Sequence, residues 1–262
     1  MSQERWRYLD SGPLTGAENM ALDEAILEAH AARLVPPTLR VYGWHPPAVS
    51  LGKFQRLEST VDREVCRARG VDLVRRPTGG RAIFHTAEEV TFSLIVSAAR
   101  LRTTGVMDSY RQLAGGIVAA LRSLGLEARL VERSAPTPAA GKARPAQDPA
   151  CFAVKARCDL VVGNSKLVGS AQVQRKRFIL QQNSLPLRLR VEDWSRVFLR
   201  PALAPEAVGL WEAAGREIPY AAVAAALREG FATALDVAFE DAAPSEGELQ
   251  RARELIPGII AT

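Results

Sequence analysis

Apolar residues recur along the chain with two different periods, and these periods predict where helices and strands lie. Between residues 13 and 35 the apolar positions follow the helical period, and the pair Pro36-Pro37 ends the run. Between residues 90 and 96 apolar residues alternate with Thr91 and Ser93, which predicts a strand. Shorter apolar segments with β character occur at residues 38–42, 48–51, 71–74, 128–132 and 178–182.

A second helix is predicted to begin near residue 109 and to end at Gly125. Ser109 and Gln112 have the spacing of a capping box, and glycine is the residue type that most often follows the last turn of a helix. The buried stripe of this helix is formed by Tyr110, Leu113, Ile117, Leu121 and Leu124. Helices dominate after residue 191, and residues 220–235 predict one with an alanine-rich face.

Two segments between these helices differ in composition. Residues 134–150 are rich in Pro and Ala and almost free of large apolar residues, so they predict a mobile loop. Such a loop is either a lid over a site or an insertion without function. Further on, two apolar runs flank the turn Gly163-Asn164 and predict a β-hairpin. Because strands and helices follow no strict βαβ rhythm, we predict an α+β fold with a mixed sheet.

Composition narrows the class of protein. The length of 262 residues suits one large domain, or one domain with a small appendage. The net charge is +5, from 34 basic and 29 acidic residues, and no dense basic run is interleaved with aromatic residues. We therefore predict no nucleic-acid binding, but a surface that attracts acidic partners.

Several classes of site and location are not expected. The three cysteines lack the spacing of a disulfide framework, and no zinc-ligand pattern is present. No apolar stretch reaches the roughly 18 residues that span a bilayer, and the first residues lack the apolar core of a signal peptide. We expect no metal, no membrane association and a location in the cytoplasm.

The segment at residues 75–85 (RRPTGGRAIFH) is the most informative stretch of the chain. Gly79 and Gly80 let the backbone come close to a ligand, and N–H groups in such a turn bind carboxylate, phosphate or carbonyl oxygens. Arg76 and Arg81 add positive charge beside the turn. A plain hairpin turn is the alternative interpretation.

Lys166 and Cys151 are candidate catalytic residues. Lys166 precedes small residues at 169–171, which leave room for a ligand, and an ammonium group there can polarise an acyl oxygen. A solvated lysine of an edge strand is the alternative. Cys151 is a nucleophile only as a thiolate, which a nearby lysine helps to form, and a buried, inert thiol is the alternative. Cys66 and Cys158 are interpreted as core residues.

Several motifs in the expected order resemble the biotin and lipoate protein ligase superfamily. Residues 75–85 resemble its Arg-Arg-x-x-Gly-Gly acyl-pocket segment, and residues 163–172 resemble its Gly-x-x-Lys-x-x-Gly-x-Ala segment. Residues 18–24 (ENMALDE) and 39–52 (LRVYGWHPPAVSLG) resemble its first helix and its early strand pair. The resemblance extends over most of residues 5–235.

The resemblance implies a fold and a domain organisation. The fold is α+β, with a mixed, largely antiparallel β-sheet core flanked by helices. The catalytic domain covers residues 1–240, and residues 241–262 form a short C-terminal helical tail. Transferases of the superfamily usually end in a segment with a Lys-Tyr pair and a Trp, which this chain lacks, so the role of the tail is left open.

Within the superfamily, the resemblance favours transfer over ligation. ATP-dependent lipoate ligases usually have a third glycine where this chain has Arg81. Cysteine-dependent octanoyltransferases and amidotransferases instead have a short Cys-Phe segment upstream of the lysine, which Cys151-Phe152 matches. Residues 180–184 (LQQNS) also resemble the transferases, whose own form is closer to Leu-Gln-His-Gly-Ser.

The implied reaction has two steps and no cofactor. The Cys151 thiolate takes an octanoyl group from acyl carrier protein, and a lysine of a lipoyl-carrier protein, such as glycine cleavage H protein or a lipoyl domain, then takes it as an amide. Lys166 favours the thiolate and holds the carbonyl oxygen. The acyl-binding residues are expected to be Arg76, Thr78, Gly79, Gly80, Arg81, His85, Gly169, Ser170 and Ala171.

Three alternatives stay open at this point. They are ATP-dependent lipoate or octanoate ligation, octanoyl amidotransfer between two carrier proteins, and carrier binding without turnover. The presence of Cys151 together with Lys166 argues against the last of them.

Overall fold

The computed structural model describes residues 3–101, 105–131, 151–153, 159–200 and 207–261. The strands are β1 (Glu4–Leu14), β2 (Thr38–Trp44), β3 (Ala48–Leu51), β4 (Asp72–Arg75), β5 (Ile83–His85), β6 (Glu89–Ser97), β7 (Ala128–Leu130), β8 (Leu160–Val162), β9 (Ser165–Arg175), β10 (Phe178–Pro186) and β11 (Val237–Asp241). The helices are α1 (Gly16–Ala31), α2 (Arg63–Ala68), α3 (Ala98–Leu101), α4 (Val106–Ser123), α5 (Val191–Val197), α6 (Leu210–Ala214), α7 (Tyr220–Leu235) and α8 (Glu246–Ile259). Short 3₁₀ turns lie at Leu57–Ser59 and Cys151–Ala153.

An eight-stranded sheet forms the centre of the fold, with the strand order β11-β1-β2-β6-β10-β9-β8-β7. β1 pairs in parallel with both β11 and β2, and the remaining neighbours are antiparallel. A smaller sheet has the order β4-β3-β5. The predicted α+β fold with a mixed, largely antiparallel sheet is confirmed.

Helices cover both faces of the large sheet. Alternate residues of β6 point to opposite sides, as the period of a strand requires. Phe92 and Leu94 pack with α4 and α7 on one face, whereas Ile95 packs with α1 on the other. Within the described residues, no helix is long and apolar enough to cross a membrane.

The smaller sheet lies at one end of α1. A Cβ built on Gly16, the first residue of α1, would lie 3.1 Å from Ala48 of β3 and 3.1 Å from Val74 of β4. The other side of this sheet packs with α2 and α5 through a separate apolar cluster that includes Val49 and Trp194. The smaller sheet is thereby fixed beside the large one.

The predicted first helix is confirmed as α1, although it is shorter than residues 13–35. Thr15 caps it, since its Oγ1 accepts a hydrogen bond from the Glu18 N–H at 3.3 Å. In return Glu18 Oε2 accepts from the Thr15 N–H at 3.0 Å. This reciprocal pair is a capping box.

The predicted capping box at Ser109 and Gln112 is wrong. α4 begins a turn earlier, with Gly105 as the N-cap residue. Ser109 is buried inside the helix, where its Oγ donates to Val106 O at 2.8 Å. The predicted end is confirmed, because Gly125 follows the last turn with φ +88°.

Candidate active site

A 3₁₀ turn and the start of β9 bring Cys151 and Lys166 together. The Cys151 N–H donates to Ala82 O at 2.8 Å, which ties the turn to the residue before β5. Lys166 is the second residue of β9, and its Nζ lies 2.7 Å from Cys151 O and 3.5 Å from Cys151 Sγ. The two candidate catalytic residues are therefore in contact.

Asp159 completes this charged group, although no sequence motif predicted it as a site residue. Its Oδ2 lies 2.7 Å from Lys166 Nζ, and the two side chains are only 5% and 1% exposed. Burial lowers the pKa of Lys166, but the negative charges of Cys151 and Asp159 raise it, and the net result is a raised pKa. Lys166 is thereby kept as an ammonium group in a buried position.

The small residues of β9 lie on two different faces. A Cβ on Gly169 would lie 3.4 Å from Cys151 Sγ and 3.3 Å from the Phe152 ring, so glycine leaves open the space beside the sulfur. Ala171 lines a cavity on the same face. Ser170 points away, and its Oγ donates to Asn183 Oδ1 at 2.8 Å. Gly169 and Ala171 adjoin the site, whereas Ser170 does not.

The turn at Gly79 and Gly80 packs directly against the end of β3. Gly80 has φ +88°, and a Cβ on Gly52 would lie 1.9 Å from Gly80 O. Arg76 fixes the turn from the other side, because its Nη2 donates to Gly79 O and to Arg81 O, each at 2.7 Å. The close approach of the backbone therefore requires glycine at 52, whereas the positive φ favours glycine at 80, where a Cβ would also lie 3.0 Å from Arg76 Nη2.

Arg76 places a buried positive charge near the thiol. Its Nε donates to Thr78 Oγ1 at 3.0 Å and its Nη1 donates to Ser50 O at 2.8 Å. Burial lowers the pKa of Arg76 to about 10, while the charge of Cys151 raises it. Arg76 therefore remains charged at neutral pH although it is buried.

His85 is part of a buried polar chain at the end of β5. Its Nε2 lies 2.8 Å from Ser50 Oγ, and its Nδ1 lies 2.8 Å from Glu89 Oε1. The imidazole also stacks on the Trp44 ring, with 3.8 Å between the ring centroids. His85 is thus held rigidly in a wall and is not a partner of Cys151.

A narrow cavity of about 20 Å³ lies between the large sheet, α1 and the smaller sheet. It has room for about one water molecule. The lining residues are Met20, Tyr42, Trp44, Ser50, Arg76, Ile83, His85, Thr91, Ala171, Gln182, Asn183 and Ser184. Of the predicted acyl-binding residues, Arg76, His85 and Ala171 are in this wall.

Hydrogen bonds that begin at Thr78 hold Gln182 in the wall of this cavity. Its Oγ1 donates to Gln182 Oε1 at 2.8 Å, and Gln182 Nε2 donates to Asp23 Oδ2 at 2.8 Å. Neither Asp23 nor Gln182 was predicted as a site residue. The signal that was available is their position in the segments at 18–24 and 180–184, which resemble the superfamily.

Of the other two cysteines, the structure describes Cys66 but not Cys158. Cys66 is fully buried in α2, and burial raises the pKa of its thiol to about 11, so it is the inert core residue that was predicted. Cys158 and the predicted loop at 134–150 lie outside the described residues. Among the residues that are described, no cluster of His, Cys, Asp and Glu is arranged to hold a metal ion.

Comparison with known proteins shows which family the chain is similar to. Residues 15–232 match the family described as the lipoyl protein ligase A/B catalytic domain. The chain is 40% identical to octanoyltransferase LipM of Kyrpidia tusciae, over 98% of this chain and 97% of the relative. It is 38% identical to octanoyltransferase LipM of Symbiobacterium thermophilum, over 97% of this chain and 95% of the relative.

Solved structures share the fold as well. A lipoate-protein ligase A bound with ATP is similar with a TM-score of 0.79 and 25% identity, covering 98% of this chain and 95% of that one. A bipartite lipoate protein ligase from Thermoplasma acidophilum, described with its E2 lipoyl domain, is similar with a TM-score of 0.75 and 25% identity, covering 98% of this chain and 93% of that one.

Proposed function

The chain belongs to the lipoyl protein ligase A/B catalytic-domain family and is an octanoyltransferase, and we propose that it works through an acyl thioester on Cys151. The distance of 3.5 Å between Lys166 Nζ and Cys151 Sγ carries this proposal. The thiolate is the reactive form of cysteine, and a buried ammonium group beside the sulfur stabilises its negative charge. Asp159 keeps that ammonium group charged and in place.

The proposed reaction passes the acyl group through the cysteine in two steps. The Cys151 thiolate attacks the carbonyl carbon of an octanoyl thioester, and the bond to the donor sulfur breaks. The donor thiolate leaves and takes up the proton that Cys151 had lost. An amine of the acceptor lysine then attacks the new thioester, loses a proton and forms the amide as the Cys151 thiolate leaves. This sequence is balanced without ATP.

Two acidic carrier proteins are the proposed partners. The enzyme acts on a lipoyl-carrier protein, and we propose a lipoyl domain or the glycine cleavage H protein as the source of the acceptor lysine. A structural relative is described with its E2 lipoyl domain. Acyl carrier protein is the proposed octanoyl donor. The net charge of +5 favours association with acidic surfaces, and a cytoplasmic location stays a prediction.

We propose that the acyl chain enters the cavity lined by Ala171, which lies on the same face of β9 as Gly169. An octanoyl chain is larger than the space of about 20 Å³, so the wall has to yield when the chain enters. Met20 is the unbranched, flexible side chain of the lining, whereas His85 and Gln182 are held by buried hydrogen bonds. Movement of Met20 is therefore the proposed route to a longer pocket.

Mass spectrometry after incubation with octanoyl acyl carrier protein tests the covalent step. We expect an octanoyl adduct that hydroxylamine removes, and we expect Cys151→Ala to lack it. Cys66→Ala is the matched control, because Cys66 is a buried thiol outside the site. An adduct that persists in Cys151→Ala would show that the nucleophile is another residue.

ATP-dependent ligation is the second candidate, because a ligase bound with ATP shares the fold over nearly the whole chain. Exchange of pyrophosphate into ATP in the presence of octanoate or lipoate distinguishes the two reactions, since only a ligase forms an acyl-adenylate. Amidotransfer uses the same Cys151 and differs in its donor. An octanoylated lipoyl-carrier protein in place of acyl carrier protein tests it.

A further inference from the structure

The hydroxyl group of Ser184 is a buried polar group that lacks a hydrogen-bond partner among the described residues. Ser184 is 2% exposed and lines the cavity beside the active site. A buried hydroxyl without a hydrogen bond lowers the stability of a fold, so such groups are rare and often belong to functional sites. Other hydroxyl groups in this wall have partners: Tyr42 OH donates to Asp23, and Thr91 Oγ1 accepts from Trp44 Nε1.

The register of the sheet places this hydroxyl beside Cys151. Ser184 of β10 pairs directly with Gly169 of β9. Cross-strand partners point to the same face, with Cβ positions about 4.5–5.5 Å apart. A Cβ on Gly169 would lie 3.4 Å from Cys151 Sγ. The Ser184 side chain therefore stands on the side of the sheet that carries the sulfur, one strand further into the cavity.

The contacts of Lys166 leave a role for this hydroxyl. An ammonium group has three N–H donors. Lys166 Nζ contacts Asp159 Oδ2 at 2.7 Å, Cys151 O at 2.7 Å and Cys151 Sγ at 3.5 Å. Asp159 Oδ2 and Cys151 O occupy two of these donors, so Lys166 offers at most its third N–H to the oxygen of the acyl group, and a second donor would add to it. A donor directed at that oxygen is the usual source of the largest electrostatic gain in acyl transfer.

We propose that Ser184 is a further catalytic residue, whose Oγ–H donates a hydrogen bond to the acyl oxygen on Cys151. The inference rests on the proposed function. When the thiolate adds to the carbonyl carbon, the C=O electron pair moves to the oxygen, and the Ser184 hydroxyl stabilises the resulting oxyanion without giving up its proton. The pair returns to carbon as the donor thiolate leaves, and the same contact serves the attack by the acceptor amine.

Ser184→Ala tests the role through two measurements, the acylation rate and the melting temperature. If the serine were only structural, the substitution would change the melting temperature and not the rate. We expect the single-turnover rate of octanoyl-Cys151 formation to fall about 100-fold, the usual loss for one oxyanion donor. We expect the melting temperature to stay unchanged or to rise, because an unpaired buried hydroxyl is removed. The half-saturating concentration of octanoyl acyl carrier protein should not change. Ser184→Cys, with a weaker donor of similar size, should have an intermediate rate.

Ser109→Ala is the matched control. Ser109 is also a buried serine, but it lies on α4 and bonds Gln172 Nε2 at 2.8 Å on the other face of the sheet. We expect this variant to melt at a lower temperature and to acylate at the wild-type rate. A crossed result, in which Ser184→Ala loses rate and Ser109→Ala loses stability, supports the proposal.

Two outcomes would overturn the inference. Wild-type acylation rates in both Ser184→Ala and Ser184→Cys would show that the oxygen has another donor. A loss of stability in Ser184→Ala with unchanged rate would show that the hydroxyl only fills space. If Ser184→Ala is too unstable to assay, Ser184→Cys decides the question by its rate alone. Absence of an octanoyl-Cys151 adduct in the wild type would instead contradict the proposed function on which this inference rests.

Discussion

Two neighbouring residues keep Lys166 charged although its side chain is buried in the active site. Lys166 is 1% exposed, and an isolated ammonium group in that position would lose its proton. Asp159 supplies the opposite charge at 2.7 Å, and a Cys151 thiolate supplies a second. The charge on Lys166 therefore depends on both of these neighbours.

Asp159→Asn is predicted to shift the pH dependence of acylation. Because Asp159 is one of the charges that raise the pKa of Lys166, its removal lowers that pKa. A lysine is charged below its pKa and neutral above it, so the ammonium group is lost at a lower pH than in the wild type. We expect the alkaline limb of the rate of octanoyl-Cys151 formation to move to lower pH than in the wild type. Single-turnover assays across the alkaline range measure it.

Asp193→Asn is the control for this prediction. Asp193 forms an ion pair with Arg69 at 2.7 Å, but the pair is partly exposed, and Asp193 is not among the charges that raise the pKa of Lys166. Its pH profile should match that of the wild type. An unshifted alkaline limb in Asp159→Asn would mean that the ion pair is structural and that the charge on Lys166 does not depend on it.

The sequence predicted Cys151 and Lys166 as catalytic residues, but it did not predict that Asp159 keeps Lys166 charged. Cys151 and Lys166 were found from spacing within motifs, and the structure brings them into contact. Asp159 precedes an apolar strand, and a single carboxylate there has no spacing that reveals its partner. Ser184 stands in a motif that was noticed, yet only the strand register shows that it adjoins Gly169. Contacts between distant segments decide such roles.

At the scale of elements, α4 and α7 cross so closely that glycines are required on both helices. A Cβ on Gly230 would lie 2.5 Å from Gly116 O and 2.7 Å from Ala120 N. A Cβ on Gly116 would lie 2.2 Å from the ring of Phe231, which is fully buried. Phe231 in turn packs edge-on against Phe92 of β6, with 6.1 Å between the ring centroids. The close crossing of α4 and α7 therefore also determines how Phe231 packs against β6.

Neighbouring glycines of α4 make a matched pair for testing this crossing. Gly116→Ala should destabilise the fold by about 1–3 kcal/mol, because Phe231 must move within a packed core. Gly115→Ala should stabilise it by up to about 1 kcal/mol, since Ala is the better helix former. Its added Cβ would meet Ala234 at an ordinary 3.9 Å. Urea titrations of both variants measure the difference, and equal effects would contradict the close crossing.

The hydrophobic periods predicted the elements better than their ends. Apolar spacing located α1, α4 and α7, because a buried stripe is a property of many residues. The first residue of α4 was missed, since Ser109 and Gln112 have cap spacing but lie inside the helix. Ser109 there bonds Gln172 of β9, a tertiary contact that overrides the local signal. Helix ends depend on few residues and are decided by such contacts.

At the scale of the whole molecule, the C-terminal residues return to the beginning of the chain. β11 pairs in parallel with β1, and α8 packs against α1. Arg7 of β1 binds Glu248 of α8 through two hydrogen bonds, at 3.0 and 2.7 Å. The division at residue 240 between a catalytic domain and a tail stays a prediction. Removing the contact between Arg7 and Glu248 tests whether the C-terminal helix contributes to the stability of the fold.

Glu248→Gln is predicted to lower the free energy of unfolding at neutral pH by about 3 kcal/mol, the loss expected when one partner of a buried ion pair is removed. Burial raises the pKa of Glu248, but Arg7 and the Ser245 cap lower it, and the net pKa is below the ordinary value. A carboxylate with a lowered pKa stabilises the fold above its unfolded pKa, and the effect is lost as the pH falls through the folded one. Urea titrations at neutral and acidic pH measure both states.

The difference between wild type and Glu248→Gln should therefore shrink toward acidic pH, where the wild-type carboxyl is protonated as well. Glu254→Gln is the control within α8, because Glu254 pairs with Arg251 on the surface at 3.0 Å and should contribute little. A stable, active Glu248→Gln variant at neutral pH would mean that the ion pair with Arg7 does not hold α8 to the rest of the fold. A large loss would instead make the C-terminal helix part of the core that positions α1, and with it Met20, which lines the cavity beside the active site.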